Sequence, residues 1–123
     1  MKLRIRGNSL RLRLTRAEVE KIGLGETVFE TTQLAGGVEF GYTLEATQRP
    51  AVRATMAGTQ LTIHAPAAAL ADWAGGDDVA LDSPCEDGTA PVLIEKDFAC
   101  LTPRDGSDDN DTFPHPESGA GRC

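Results

Sequence analysis

Nothing in this 123-residue chain approaches the roughly 20 consecutive apolar residues that a membrane-spanning helix requires. Lys2, Arg4 and Arg6 break up its beginning, where a secretory signal needs a continuous apolar segment, so the cytoplasm is the expected compartment. Cysteine is scarce and odd in number, and Cys85, Cys100 and Cys123 do not make a disulfide framework. Cys85, Cys100, His64 and His115 contain no closely spaced pair of the kind that preorganises a structural zinc site, so no metal or other cofactor is expected. The acids from Asp105 to Asp111 alternate as in a calcium loop, but Asn110 stands where the sharp turn needs glycine and Pro116 where a bidentate glutamate is required. Gly-x-Ser-x-Gly, a glycine-rich phosphate loop and His-Glu-x-x-His are all missing, and the expectation is a protein that is not an enzyme.

What is present is one domain's worth of chain with its charge unevenly spread. Residues 1–70 hold nine Lys/Arg and six Asp/Glu, a balance of +3, whereas residues 71–123 hold three and thirteen, a balance of −10; the sum is the net charge of −7. An acidic chain is not a general nucleic-acid binder, since phosphate affinity needs concentrated cations. Only the first 21 residues, with seven bases and two acids, concentrate them.

Those residues alternate. Leu3 and Ile5 are interleaved with Lys2, Arg4 and Arg6, and Leu10, Leu12 and Leu14 with Arg11 and Arg13, which is the period of half-buried strands joined by the Gly7-Asn8-Ser9 turn. Thr15 with Glu18 makes a capping box, and Val19 with Ile22 gives the following short helix one apolar face. Two further hairpins are expected from "TVFETTQL" with "VEFGYTLEA" and from "AVRATM" with "QLTIHA". Pro66 opens a second helix that Gly75-Gly76 closes, and "DDVALD" and "PVLIEKDF" are the last strand candidates, Glu95, Lys96 and Asp97 marking the exit of the latter to solvent. Residues 102–123 are polar and rich in Pro, Gly and Asp, so a disordered acidic tail is expected there.

Displaced by 51 residues, the chain matches itself: Gly7 falls on Gly58, Leu10 on Leu61, Leu12 on Ile63, Val19 on Leu70, Ile22 on Trp73, Gly25 on Gly76 and Val28 on Val79. The segments 7–28 and 58–79 read as two copies of one strand–turn–strand–helix–strand unit.

The stretch "RGNSLRLRLTRAEVEKIGLGETV" resembles the N-terminal domain of MazE-like antitoxins and AbrB-type regulators, in which two chains swap hairpins to close one barrel. Over its whole length the chain also resembles short uncharacterised bacterial proteins, a likeness that implies no activity. The periodicity, caps and repeat lead to the expectation of a mostly β, α+β domain over residues 1–101 with two short helices near 16–23 and 66–74, and the antitoxin resemblance implies that it is a small barrel-like domain built from a duplicated swapped-hairpin unit. A single chain would then act as a pseudo-dimer, with a homodimer left open. It departs from that family where Thr62 and His64 replace Arg11 and Arg13 in the second copy, which removes two-fold symmetric phosphate contacts.

The candidate binding residues are Arg4, Arg6, Arg11 and Arg13, because guanidinium forks recognise phosphate and carboxylate bidentately. The alternative for these arginines is a solvated face paired with the chain's own acids. The functional expectation is a non-enzymatic interaction module that contacts DNA or an acidic protein partner through this hairpin. A small metal- or ligand-binding β domain is the alternative.

Overall fold

The computed structural model describes residues 1–97. The acidic tail, the alternating Asp105–Asp111 run, Cys100, His115 and Cys123 lie outside the described residues.

The first alternating runs form strands β1 (Lys2–Arg6) and β2 (Ser9–Leu14), paired antiparallel, and Gly7 turns between them at a φ of 53°, which glycine adopts without a Cβ penalty. Thr15 then caps helix α1 (Arg16–Gly23). Its hydroxyl accepts from the Glu18 N–H at 3.3 Å while the Glu18 carboxylate accepts from the Thr15 N–H at 2.9 Å. Thr15→Ala is expected to cost about 1 kcal/mol, read as a lower urea midpoint at unchanged denaturant slope.

Strands β3 (Val28–Leu34) and β4 (Val38–Thr47) form the second hairpin around a 3-10 turn at Ala35–Gly37, and β5 (Arg53–Ala57) and β6 (Gln60–Pro66) form the third. Helix α2 (Ala67–Gly75) follows, and β7 (Val92–Lys96) is the last strand described. Residues 77–82, expected as a strand, contribute only one bridge, Ala80 opposite Glu95. Three aspartates around Val79-Ala80-Leu81 leave too short an apolar run to extend a ladder.

The 51-residue offset has a structural counterpart. Lys2–Arg6 becomes Arg53–Ala57, Ser9–Leu14 falls inside Gln60–Pro66, and Arg16–Gly23 falls inside Ala67–Gly75. Gly58 repeats the turn at a φ of 59°. Correspondence stops after the helices, since Val28 is 5% exposed and Val79 48%. The two helices pack on each other at equivalent positions: a Cβ built on Gly23 would lie 2.5 Å from the Ala74 Cβ.

Strands are exchanged between the halves. β4, which follows the first helix, pairs parallel with β6 of the second hairpin, and β7, which follows the second helix, pairs parallel with β2 of the first. Two mixed sheets result, in the orders β1-β2-β7 and β3-β4-β6-β5. Each turns its apolar face inward: Leu12, Leu14 and Ile94 from one and Leu44, Ile63 and Ala65 from the other meet Ile22, Leu70 and Trp73 of the helices in one core. The Trp73 indole N–H donates to the Val79 carbonyl at 3.1 Å, which satisfies its polar end.

The barrel expectation is therefore corrected: the fold is α+β with two mixed sheets, neither closed. Closure needs a hydrogen-bond ladder that runs round the whole circumference. Here the ladders end at β1 and β7 in one sheet and at β3 and β5 in the other, and side chains rather than backbone join the sheets. Among the described residues no helix is long and apolar enough to cross a membrane.

Candidate anion-binding site

In the β1–β2 hairpin Lys2 stands opposite Arg13, Arg4 opposite Arg11, and Arg6 opposite Ser9. Cross-strand partners share a face and residues two apart on a strand share it too, so all five bases project from the side away from the core. Like charges directly opposite each other repel, and such a face needs an anion. β7 brings one. Its parallel register sets Glu95 beside Arg13, where one carboxylate oxygen, Oε1, accepts from the Arg13 Nε at 2.8 Å and lies 3.0 Å from the Arg11 Nε.

Glu95 is the one charged residue buried among the described residues, at 9% exposure, so it does not mark an exit to solvent. Lys2 Nζ meets Asp97 Oδ2 at 3.1 Å. Between the cations is a cavity of about 160 Å³ lined by Lys2, Arg4, Arg11 and Arg13. The structure thus brings together three of the four candidate arginines; Arg6, exposed beside the turn, is not part of the cavity wall.

The other sheet carries a matching face with different chemistry. Positions 53, 55, 62 and 64, equivalent to 2, 4, 11 and 13, hold Arg53, Thr55, Thr62 and His64. His64 is clasped on both ring nitrogens, Nε2 lying 2.9 Å from the Thr55 hydroxyl and Nδ1 3.1 Å from Glu45 Oε1. Glu45 comes from β4 as Glu95 comes from β7. Glu95 and Glu45 are the residues that sequence reasoning missed, because only the exchanged parallel pairing puts them there. Cys85 is a free thiol tied to Val92, donating to its carbonyl at 3.5 Å and accepting from its N–H at 3.4 Å. Among the described residues no group of three His, Cys, Asp or Glu is placed to hold a metal.

One acid elsewhere is tuned. Burial pushes the Glu18 carboxyl up, but hydrogen bonds from the Met1 amino group at 2.6 Å and from Thr15 outweigh it and hold the group below its ordinary value of 4.5. Burial, with Glu30 and Glu18 nearby, pushes the Tyr42 phenol up, and its hydroxyl donates to the Met1 carbonyl at 2.9 Å. A depressed carboxyl stabilises the fold above its unfolded value, and that contribution is lost as pH falls through the folded value. Urea midpoints should therefore drop below about pH 4.5, and Glu18→Gln should flatten that part of the profile.

The chain is thus an α+β protein with exchanged strands and a basic sheet face braced by a carboxylate. It belongs to DUF7009, described as a family of unknown function, which matches residues 1–117. No curated protein matches the chain, and no solved structure does. The MazE/AbrB-like label is corrected by that membership. A glycine turn, an alternating strand and a capped helix are local chemistry that any hairpin–helix unit can share.

Proposed function

We propose that this chain is a non-enzymatic interaction module that holds an acidic polypeptide against the basic face of the β1–β2–β7 sheet. The observation that carries the reading is the register that sets Arg4 beside Arg11 and Lys2 beside Arg13 around one cavity. Duplex DNA suits this face less well. Lys2 to Arg6 spans roughly 13 Å at about 3.3 Å per residue, whereas strong phosphate binding accumulates over some 6–10 contacts. A net charge of −7 opposes the rest of the surface approaching DNA. A carboxylate, by contrast, is already received there, in Glu95. The cytoplasm suits the free thiol of Cys85.

Fluorescence anisotropy with labelled poly-L-glutamate and with duplex DNA tests this. Poly-glutamate should bind at low ionic strength, weaken steeply towards about 0.15 M salt, and be lost on Arg11→Ala with Arg13→Ala, with duplex DNA weaker throughout. No binding of poly-glutamate at low salt overturns the reading, and tighter binding of DNA transfers it to nucleic acid. A second reading, a small-ligand domain, draws on the groove of about 620 Å³ lined by Leu14, Val19 and Ala74 with Arg16, Lys96 and Asp77 at its rim. Native mass spectrometry showing a retained small molecule would favour it.

A further inference from the structure

The sheet edges differ in how they are closed to other chains, and we propose that the one left open, β3, pairs antiparallel with β3 of a second copy to form a two-fold symmetric dimer. An edge strand presents unpaired backbone N–H and C=O groups, and proteins guard such edges with charge, shortness or cover. Among the described residues, three of the four edges are guarded. β1 carries Lys2, Arg4 and Arg6. β7 is flanked by residues 79–81, the Leu81 N–H donating to the Ile94 carbonyl at 2.8 Å and the Lys96 N–H to the Val79 carbonyl at 2.9 Å. β5 has only five residues, with Arg53 at its start, and just before it Val52 is bonded to the segment 84–86: its N–H donates to the Pro84 carbonyl and its carbonyl accepts from the Glu86 N–H, both at 2.8 Å.

β3 has none of these. It runs seven residues, VFETTQL, in unbroken register with β4, holds no lysine, arginine or proline, and has no strand on its other side among the described residues. Its one charge, Glu30, lies 3.4 Å from the Met1 amino group. The strand also belongs to an arm whose apolar face outruns the core. Leu34 and Val38, opposite each other at the tip, share a face with the buried Val28 and Leu44, yet are 52% and 40% exposed.

The strand is complementary to itself. Opposite residues share a face, so a two-fold axis normal to the sheet passes beside one residue. Centred on Thr31, all seven residues pair: Val28 with Leu34, Phe29 with Gln33 and Glu30 with Thr32 of the second copy. No like charges are opposed, whereas centring on Glu30 would set two carboxylates face to face. Each Leu34 then lies beside the other copy's Val28, which brings the apolar arm tip to the margin of the other core, and each exposed Phe29 gains a strand neighbour. At a net charge of −7 two copies repel each other overall, and this strand, its single charge offset, is where their backbones can approach. An eight-stranded sheet results, four strands from each copy.

Analytical ultracentrifugation of the full chain across the micromolar range should show the mass rising from one chain to two. Thr31 is exposed, so Thr31→Lys should leave the circular dichroism spectrum unchanged. It sets two ammonium groups opposite each other in the dimer and should weaken association by about tenfold or more, as should Thr31→Glu. Mixed, the two variants should dimerise again, since position 31 then faces its opposite charge, and high salt should weaken that mixed dimer more than the parent. A parent that stays monomeric overturns the second copy as the occupant of this edge. A dimer that both variants leave intact, or a mixture that stays monomeric, overturns the pairing about Thr31.

Discussion

Gly23→Ala should destabilise this protein by about 2 kcal/mol, the cost of overpacking a tight contact, although in an open helix the same change stabilises by up to about 1 kcal/mol. The sign is decided by the neighbouring helix, whose Ala74 Cβ would stand 2.5 Å from the new atom, closer than two carbons can approach. Gly75→Ala in the second helix is the control. Nothing lies within 4 Å of a Cβ there, so that variant should gain a few tenths of a kcal/mol. Pairing Gly23→Ala with Ala74→Gly returns the missing space and should recover most of the loss. Urea midpoints of the four proteins measure all of this; a Gly23→Ala protein as stable as the parent would show that the helices do not meet at these positions.

Leu12→Ala and Ile63→Ala should each cost about 3 kcal/mol, within the range for deleting a buried aliphatic side chain. The two residues are equivalent across the 51-residue offset, each is 0% exposed, and each sits beside an exchanged strand, Leu12 next to Ile94 and Ile63 next to Leu44. Against a total stability of about 5–15 kcal/mol, either loss is a large fraction. Ile5→Ala, on the same face of the first hairpin but 60% exposed, should stay within about 0.5 kcal/mol of the parent. Comparable losses at Leu12 and Ile5 would contradict the described core.

Both helices, and the strands other than the one expected at residues 77–82, were legible because their signals are local. Alternation of Leu with Arg, the Thr15–Glu18 box and the glycine at each turn act within a few residues, and each produced the element expected. Sheet closure was not legible. Alternation says which side of a strand is apolar, not whether the first strand of a ladder meets the last, and the barrel expectation failed on that point. The candidate site was half legible for the same reason. A hairpin register follows from its turn, so Arg4 beside Arg11 could be read, while Glu95 reaches Arg13 across 82 residues through a parallel pairing that no local pattern announces. The same holds for Glu45 beside His64.

The strand exchange has a temporal side. Leu10 pairs with Val92, so a chain synthesised at roughly 5–20 residues per second releases the second hairpin strand some 4–16 s before its parallel neighbour exists. For that interval one edge of β2 is open, and an open, apolar edge invites pairing with other nascent chains. Arg11 and Arg13, not yet tied to Glu95, then place two unneutralised charges along that edge, and mutual repulsion between copies keeps it single. The arginines that brace the finished face guard the unfinished one.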